Sequence, residues 1–303
     1  MQIKENFCFL KLMDNIKEDF RGHSRAIRLI CEQNNIKYFV KIYDNDRRND
    51  LNEIYNVYYK LNIPTAKILK LEYSPECNKT LCAYEYIDGK TLKELALSEN
   101  EQELEKIGIS VGKQIKKFEK IKGNKEEIVK LLNSELKILM ENANEEQEKY
   151  KEKIKLQKID LERLDNSLNL LKKYVYLNDP SFIHNDVNYN NIIIKNNVPY
   201  FIDTDGAKIK FRALDFRGNC WWTWNGKNIR NEQAVYRGIY LGLFDGKIPG
   251  EFHKELAFTM IYEFLLRLKS HTGNEKEVLY TFGYFKPIFD VTNYFENYRF
   301  SWL

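Results

Sequence analysis

The sequence predicts an α+β fold in two lobes, an antiparallel sheet lobe over residues 1–87 and a mainly helical lobe over residues 88–303. Three patterns support this. Runs with a period of two, broken by turn residues, occupy the first ninety positions; a period of three and four takes over from Thr91 to Tyr176; and alternation returns briefly near residues 192–202 before the remainder reads as helix. At about 150 residues per domain, 303 residues also suit two lobes.

The elements follow in order. Ser24–Cys31 sets Ala26, Arg28 and Ile30 against Ile27, Leu29 and Cys31; Asn34-Asn35 offers a turn, and Tyr38–Tyr43 returns as the second strand of a hairpin. Leu51, Ile54, Tyr55, Tyr58 and Leu61 form one stripe of an amphipathic helix that Pro64 closes. Ala66–Leu71 and Leu81–Ile87 read as two further strands, the second ending at the turn Asp88-Gly89. Helical stripes then run through Ile128, Leu132, Leu136 and Leu139, and through Leu161, Leu164, Leu168, Leu171 and Val175. Because the heptad breaks around Glu141–Glu148, these stripes read as core-facing rather than as a coiled coil. Ile192–Ile194 and Val198–Ile202 form a second hairpin about Asn196-Asn197.

Composition narrows the function classes. With 43% hydrophobic residues, including 20 Tyr and 18 Phe, the chain has apolar surface enough for a core without staples. The 48 basic residues exceed the 44 acidic ones by only four and are dispersed, so no nucleic-acid partner is expected. No membrane span is expected, since no apolar run approaches eighteen residues, and charges scattered through the first twenty residues do not suit a signal peptide. The cysteines, Cys8, Cys31, Cys77, Cys82 and Cys220, are odd in number and include no C-x-x-C pair, which suits reduced thiols and a cytoplasmic location.

One segment carries chemistry. Phe182-Ile183-His184-Asn185-Asp186-Val187-Asn188-Tyr189-Asn190-Asn191 has the form H-x-D-x-x-x-x-N, and it leads through the second hairpin to Asp203-Thr204-Asp205. Phosphoryl transfer from ATP needs a carboxylate beside the attacking hydroxyl and oxygen ligands that hold magnesium on the phosphates. Asp186 and Asn191, five residues apart on one loop, can meet both needs, and a second carboxylate arrives after the next strand.

In this arrangement the sequence resembles the protein-kinase-like small-molecule phosphotransferase superfamily, which includes aminoglycoside phosphotransferases, choline and ethanolamine kinases and spore-coat kinase-like proteins. The resemblance implies a two-lobed kinase-like fold, with a nucleotide-binding N-terminal lobe, and ATP- and Mg-dependent transfer to the hydroxyl of a small molecule: a choline-like amine alcohol, an aminoglycoside or a sugar-like acceptor. It makes Asp186 the catalytic base, Asn191 and Asp203 metal ligands, and Asp205 an acid that assists a second metal. His184 would hold the loop. Upstream it implies that Lys41 steadies the nucleotide's phosphates and pairs with Glu53, and that Glu85-Tyr86-Ile87 is the hinge, whose Glu85 and Ile87 backbone groups meet adenine; Gly89 and Leu92 match the G-x-x-L that follows. Gly22 and Ser24 are the only candidates for a phosphate-covering loop, a departure from G-x-G-x-x-G that suits the small-molecule branch. The same is true of Thr204 in place of the Phe of D-F-G.

Past the metal Asp, the R-x-x-D-x-x-x-N run from Arg212 to Asn219 resembles choline and ethanolamine kinases, which makes Asp215 a brace of the catalytic loop. Trp221, Trp222 and Trp224 suit either core packing or cation–π recognition of a choline-like amine. The resemblance leaves ATP or GTP open, and it admits as an alternative a kinase-fold binding or structural protein without catalysis, as the spore-coat proteins suggest. Retention of Lys41, Asp186, Asn191 and Asp203 together argues against that alternative.

Overall fold

The structure is a computed structural model that describes residues 2–19, 26–217 and 229–303. From the N-terminus run α1 (Cys8–Lys11), β1 (Asn15–Glu18), β2 (Ile27–Gln33), β3 (Ile36–Asp44), α2 (Arg48–Lys60), β4 (Ile68–Ser74), β5 (Lys79–Glu85) and β6 (Lys90–Thr91). Helices α3 (Leu92–Ser98), α4 (Glu101–Lys116), α5 (Lys125–Lys149) and α6 (Leu161–Tyr176) follow, then β7 (Ser181–Ile183), β8 (Ile192–Lys195), β9 (Val198–Phe201) and β10 (Lys208–Lys210). The chain ends with α7 (Ile229–Leu243), α8 (Phe252–Ser270) and α9 (Glu275–Thr292). By contacts it divides into two compact units, one of residues up to Leu92 with Asn190–Asp205, the other of Lys93–Tyr189 with Gly206–Leu303.

The first unit is built on a five-stranded antiparallel sheet in the order β1-β2-β3-β5-β4. Asn34 and Asn35 both have positive φ, 52° and 64°, the conformation that a tight two-residue hairpin demands and that Asn tolerates. Alternation along β3 sends Val40 and Ile42 into one apolar cluster with Leu29, Cys31, Leu81 and Ala83, closed by Phe7, Leu10 and Met13. Tyr43 points the other way, into a second cluster with Leu51 of α2, Cys82, Tyr84 and Ile87. Lys41 shares this second parity. Helix α2 begins at Arg48, three residues before the predicted stripe, and buries Leu51 and Tyr58 from it. Strand β1 has only four residues and owes its existence to pairing with β2, so no local pattern announced it.

The same unit holds a three-stranded sheet, β6-β8-β9. Asn196 and Asn197 (φ 51° and 61°) make the predicted turn between β8 and β9. Gly89 is required by close approach: a Cβ there would stand 2.6 Å from the Ile194 carbonyl oxygen on β8. Phe201, at the end of β9, takes the Pro64 carbonyl through its N–H at 2.9 Å and the Thr65 hydroxyl through its own carbonyl at 2.7 Å.

The second unit is helical. Asn100, Asn124 and Asp160 start α4, α5 and α6 by accepting the backbone N–H of the residue three positions on. The predicted stripes are buried: Leu132, Leu136 and Leu139 on α5, and Leu161, Leu164, Leu168, Leu171 and Val175 on α6. Helix α5 is continuous through Glu141–Glu148, where its heptad fails. Helices α4 and α7 meet through Gly108 and Gly112 on one and Gly238 and Gly242 on the other, where any Cβ would collide with the facing backbone. Helix α8 is buried on nearly every side, and among its buried residues are Glu255 and Glu263. Short β7 and β10 pair antiparallel, Ile183 opposite Lys208, which delivers the chain to His184. Among the described residues, no helix is long and apolar enough to cross a membrane.

Candidate active site

In the first unit, the even spacing of β3 places Lys41 opposite Cys82 of β5, with a side chain only 4% exposed. A buried ammonium needs partners. Lys41 Nζ finds two: it is bonded to Asp203 Oδ1 and lies 2.9 Å from Asp205 Oδ1. Burial disfavours the charged ammonium, but the two carboxylates outweigh it, and its pKa is raised. Burial raises both acids and Lys41 opposes it, while the hydrogen bond between the two carboxyl groups splits them, raising the pKa of Asp203 and lowering that of Asp205.

The β8–β9 hairpin sets these acids in place. Ile192 pairs with Phe201, and one step beyond, Ile202 N–H donates to the Asn191 carbonyl at 2.9 Å. Asn191 and Asp203 therefore flank the same end of the hairpin. Asp203 adopts φ 61°, a left-handed conformation that an Asp tolerates at modest cost and that occurs where function constrains the backbone. Two carboxyl groups share one ammonium, and Asn191, at the same end of the hairpin, is buried, 8% exposed. This oxygen-only donor set fits magnesium, which takes one or two carboxylates and completes its shell with water and phosphate oxygens.

The expected Lys41–Glu53 ion pair is not formed. Glu53 is exposed on α2, whose buried stripe belongs to Leu51 and Tyr58, and Lys41 is taken up by the two acids. The helix instead contributes a cation that the sequence reading did not single out. Arg47, just before α2, lies 5.4 Å from the Tyr43 ring and donates to the Asp205 carbonyl at 3.4 Å. Nothing in its local sequence distinguishes Arg47 from Arg48 beside it. In the hinge segment, Glu85 N–H donates to the Lys67 carbonyl at 2.9 Å, and Ile87 is buried in the apolar cluster that holds Tyr43 and Tyr84. Gly22 and Ser24, and Trp221, Trp222 and Trp224, lie outside the described residues.

In the second unit, His184 is fully buried at the end of β7, whereas Asp186 is exposed. Asp215, 1% exposed, braces the loop between them from behind: its Oδ2 accepts His184 N–H at 3.2 Å, and its carbonyl accepts Val187 N–H at 3.1 Å. Burial pushes the Asp215 carboxyl up to about 7 against the opposing backbone amides of His184 and Asn185 and the Arg217 guanidinium. A free Asp titrates near 3.9, so between roughly pH 4 and 7 the folded protein holds a proton that the unfolded chain has released. This contribution to stability is present below that window and is lost as pH rises through it. Asp215→Asn should flatten the fall in Tm across the window, because the amide oxygen still accepts the His184 N–H without titrating. Glu255, also pushed up to about 7 by burial, keeps its share in both proteins. An unaltered Tm slope would contradict a neutral Asp215.

The phosphotransferase enzyme family model matches residues 22–249, which include Lys41, the loop from His184 to Asn191, both acids and Asp215. None of the curated proteins compared matches the chain in sequence. Among solved structures, a spectinomycin phosphotransferase in complex with ADP and spectinomycin is 17% identical over 97% of each chain, with a TM-score of 0.56. Aminoglycoside phosphotransferase APH(4)-Ia is 14% identical over 95% of this chain and 98% of its own, with a TM-score of 0.61. An ethanolamine kinase from Plasmodium vivax is 16% identical over 93% of this chain and 84% of its own, with a TM-score of 0.53. These three share the kinase-like fold, and the family match, covering three quarters of the sequence and every motif above, shows that the chain belongs to the phosphotransferase enzyme family as a small-molecule kinase.

Proposed function

We propose that the protein transfers the γ-phosphoryl group of ATP or GTP, with magnesium, to the hydroxyl of a small molecule. The observation that carries this reading is the buried Lys41 ammonium held by both Asp203 and Asp205. A purely structural ion pair has no use for the second carboxylate, whereas a site for phosphates and a divalent cation needs a fixed cation and spare acidic oxygens together. Magnesium, when bound, would neutralise charge on the phosphates, with Asn191, Asp203 and Asp205 as its protein ligands.

Lys41 would exchange a carboxylate oxygen for a phosphate oxygen, and its stem is already fixed by burial, so little order is lost on binding. The apolar cluster of Tyr43, Cys82, Tyr84 and Ile87 on the Lys41 face of the sheet would pack the base, with backbone groups of Glu85 and Ile87 reading its edge. Asp186 would orient the acceptor hydroxyl and take its proton; its exposure leaves room for an acceptor. Candidate acceptors are a choline-like amine alcohol, an aminoglycoside and a sugar-like polyol. Dependence on a cellular nucleoside triphosphate suits a cytoplasmic protein.

The test is to incubate purified protein with Mg-ATP or Mg-GTP and choline, ethanolamine, aminoglycosides, sugars or homoserine while following nucleoside diphosphate release. Acceptor-dependent release is expected for one class. No release above the acceptor-free rate with any of them, together with no binding of Mg-nucleotide in calorimetry, would overturn the reading and favour a kinase fold kept for binding or structure.

A further inference from the structure

Asn185 separates His184 from Asp186, and its backbone is left-handed, φ 68°. Its carbonyl belongs to the peptide unit whose N–H is that of Asp186, so the plane of this one peptide sets the direction in which the Asp186 side chain leaves the loop. Arg217, in the turn that follows residues 212–216, holds that plane. Its Nη1 donates both to the Asn185 carbonyl and, at 2.9 Å, to Asn185 Oδ1.

The guanidinium is anchored in turn. Its Nε lies 3.5 Å from Glu263 Oε2 on α8, and the other oxygen of Glu263 accepts from Arg267 Nε at 2.8 Å, one helical turn on. Glu263 is 11% exposed on its side chain and sits on the most buried helix of the unit, so the anchor is stiff. Asp215 and Arg217, two residues apart, thus grip the loop by complementary groups, amides on one and a carbonyl on the other. Only a planar, forked cation can address Asn185 and Glu263 at once, a geometry that a lysine lacks.

We propose that Arg217 is a positioning residue, which locks the Asn185–Asp186 peptide through the Glu263 anchor and so aims the Asp186 carboxylate; this rests on the reading of Asp186 as the group that takes the acceptor's proton. Arg217 lies outside the H-x-D motif and at an unspecified position of the R-x-x-D-x-x-x-N run, so neither pattern assigns it a role. A left-handed Asn without its clamp has extended and right-handed alternatives, and each would turn the peptide and the carboxylate with it. Misaiming costs the chemical step and leaves nucleotide affinity alone.

The test compares wild type with Arg217→Ala and Arg217→Lys. Arg217→Ala should lower kcat by about tenfold or more, with the nucleotide KM within about twofold, and added methylguanidinium should restore part of the kcat. Amide hydrogen exchange at Asp186 and Val187 should quicken while α8 keeps its protection. Arg217→Lys keeps a cation for Glu263, serves if the alanine variant does not fold, and should show the same split between kcat and KM. Unchanged kcat in a folded variant, or a loss of kcat with no change in loop exchange and no methylguanidinium rescue, would overturn the assignment. If the wild type transfers phosphate to no acceptor, the parent reading fails, and exchange at Asp186 and Val187 still decides separately whether Arg217 locks this peptide.

Discussion

Asp186→Asn is expected to remove nearly all phosphoryl transfer, by about a hundredfold to ten-thousandfold, while Mg-nucleotide affinity stays within a few-fold of wild type. An amide has the volume and shape of the carboxylate and can still accept a hydrogen bond from the acceptor, but it cannot take up the proton as the hydroxyl attacks. The protein should stay folded: Asp186 is exposed, and the loop around it is held by the bonds that the His184 and Val187 N–H groups donate to the Asp215 carboxyl group and carbonyl, which the substitution leaves alone. Steady-state turnover with the acceptor identified by the panel, set beside calorimetry with Mg-nucleotide, separates the two effects. Turnover within threefold of wild type would remove Asp186 from the chemistry.

Asp203→Ala should act at the opposite step. It removes the oxygen ligand proposed for magnesium and one of the two partners of Lys41, and Mg-nucleotide affinity should fall by at least about tenfold, about 1.4 kcal/mol. The protein should remain folded. Lys41 keeps Asp205 at 2.9 Å, so no buried ammonium is left uncompensated, which is the situation that makes half-removed ion pairs costly. Calorimetry with Mg-nucleotide, with Tm as the control, checks both halves of this expectation. Unchanged affinity would mean that the acid serves Lys41 alone.

How much of this was legible in the sequence differs from residue to residue. Asp186, Asn191 and Asp203 could be picked out as candidates because their places come from short stretches of chain: a loop of fixed length, two apolar strands and an Asn-Asn turn, all governed by local sterics and a period of two. The parity that puts Lys41 on the face of Tyr43 and away from Val40 and Ile42 is of the same kind. The core stripes of α5 and α6 were readable for the same reason, since helical spacing alone decides which residues share a face.

The partners of these residues were not legible. Glu53 was chosen for Lys41 on its distance along the chain, but a lysine pairs with whatever acid the packing brings near, and these acids come from 162 and 164 residues further on. The bond of Arg47 to the Asp205 carbonyl, and the grip of Arg217 and Glu263 on Asn185, are likewise contacts between segments distant in sequence, with no periodic signature of their own. Strands β1 and β7 exist only through pairing, so they too lay beyond local pattern. What the amino-acid sequence determined by itself was the class of fold, the family of small-molecule phosphotransferases and the loops and strands on which the candidate residues lie, because backbone sterics, hydrophobic periodicity and side-chain functional groups are properties of neighbouring residues. What only the tertiary structure decided was which charges meet and which peptide is locked, because in a buried, poorly screened interior those energies depend on distances of a few ångströms between segments that the sequence leaves far apart.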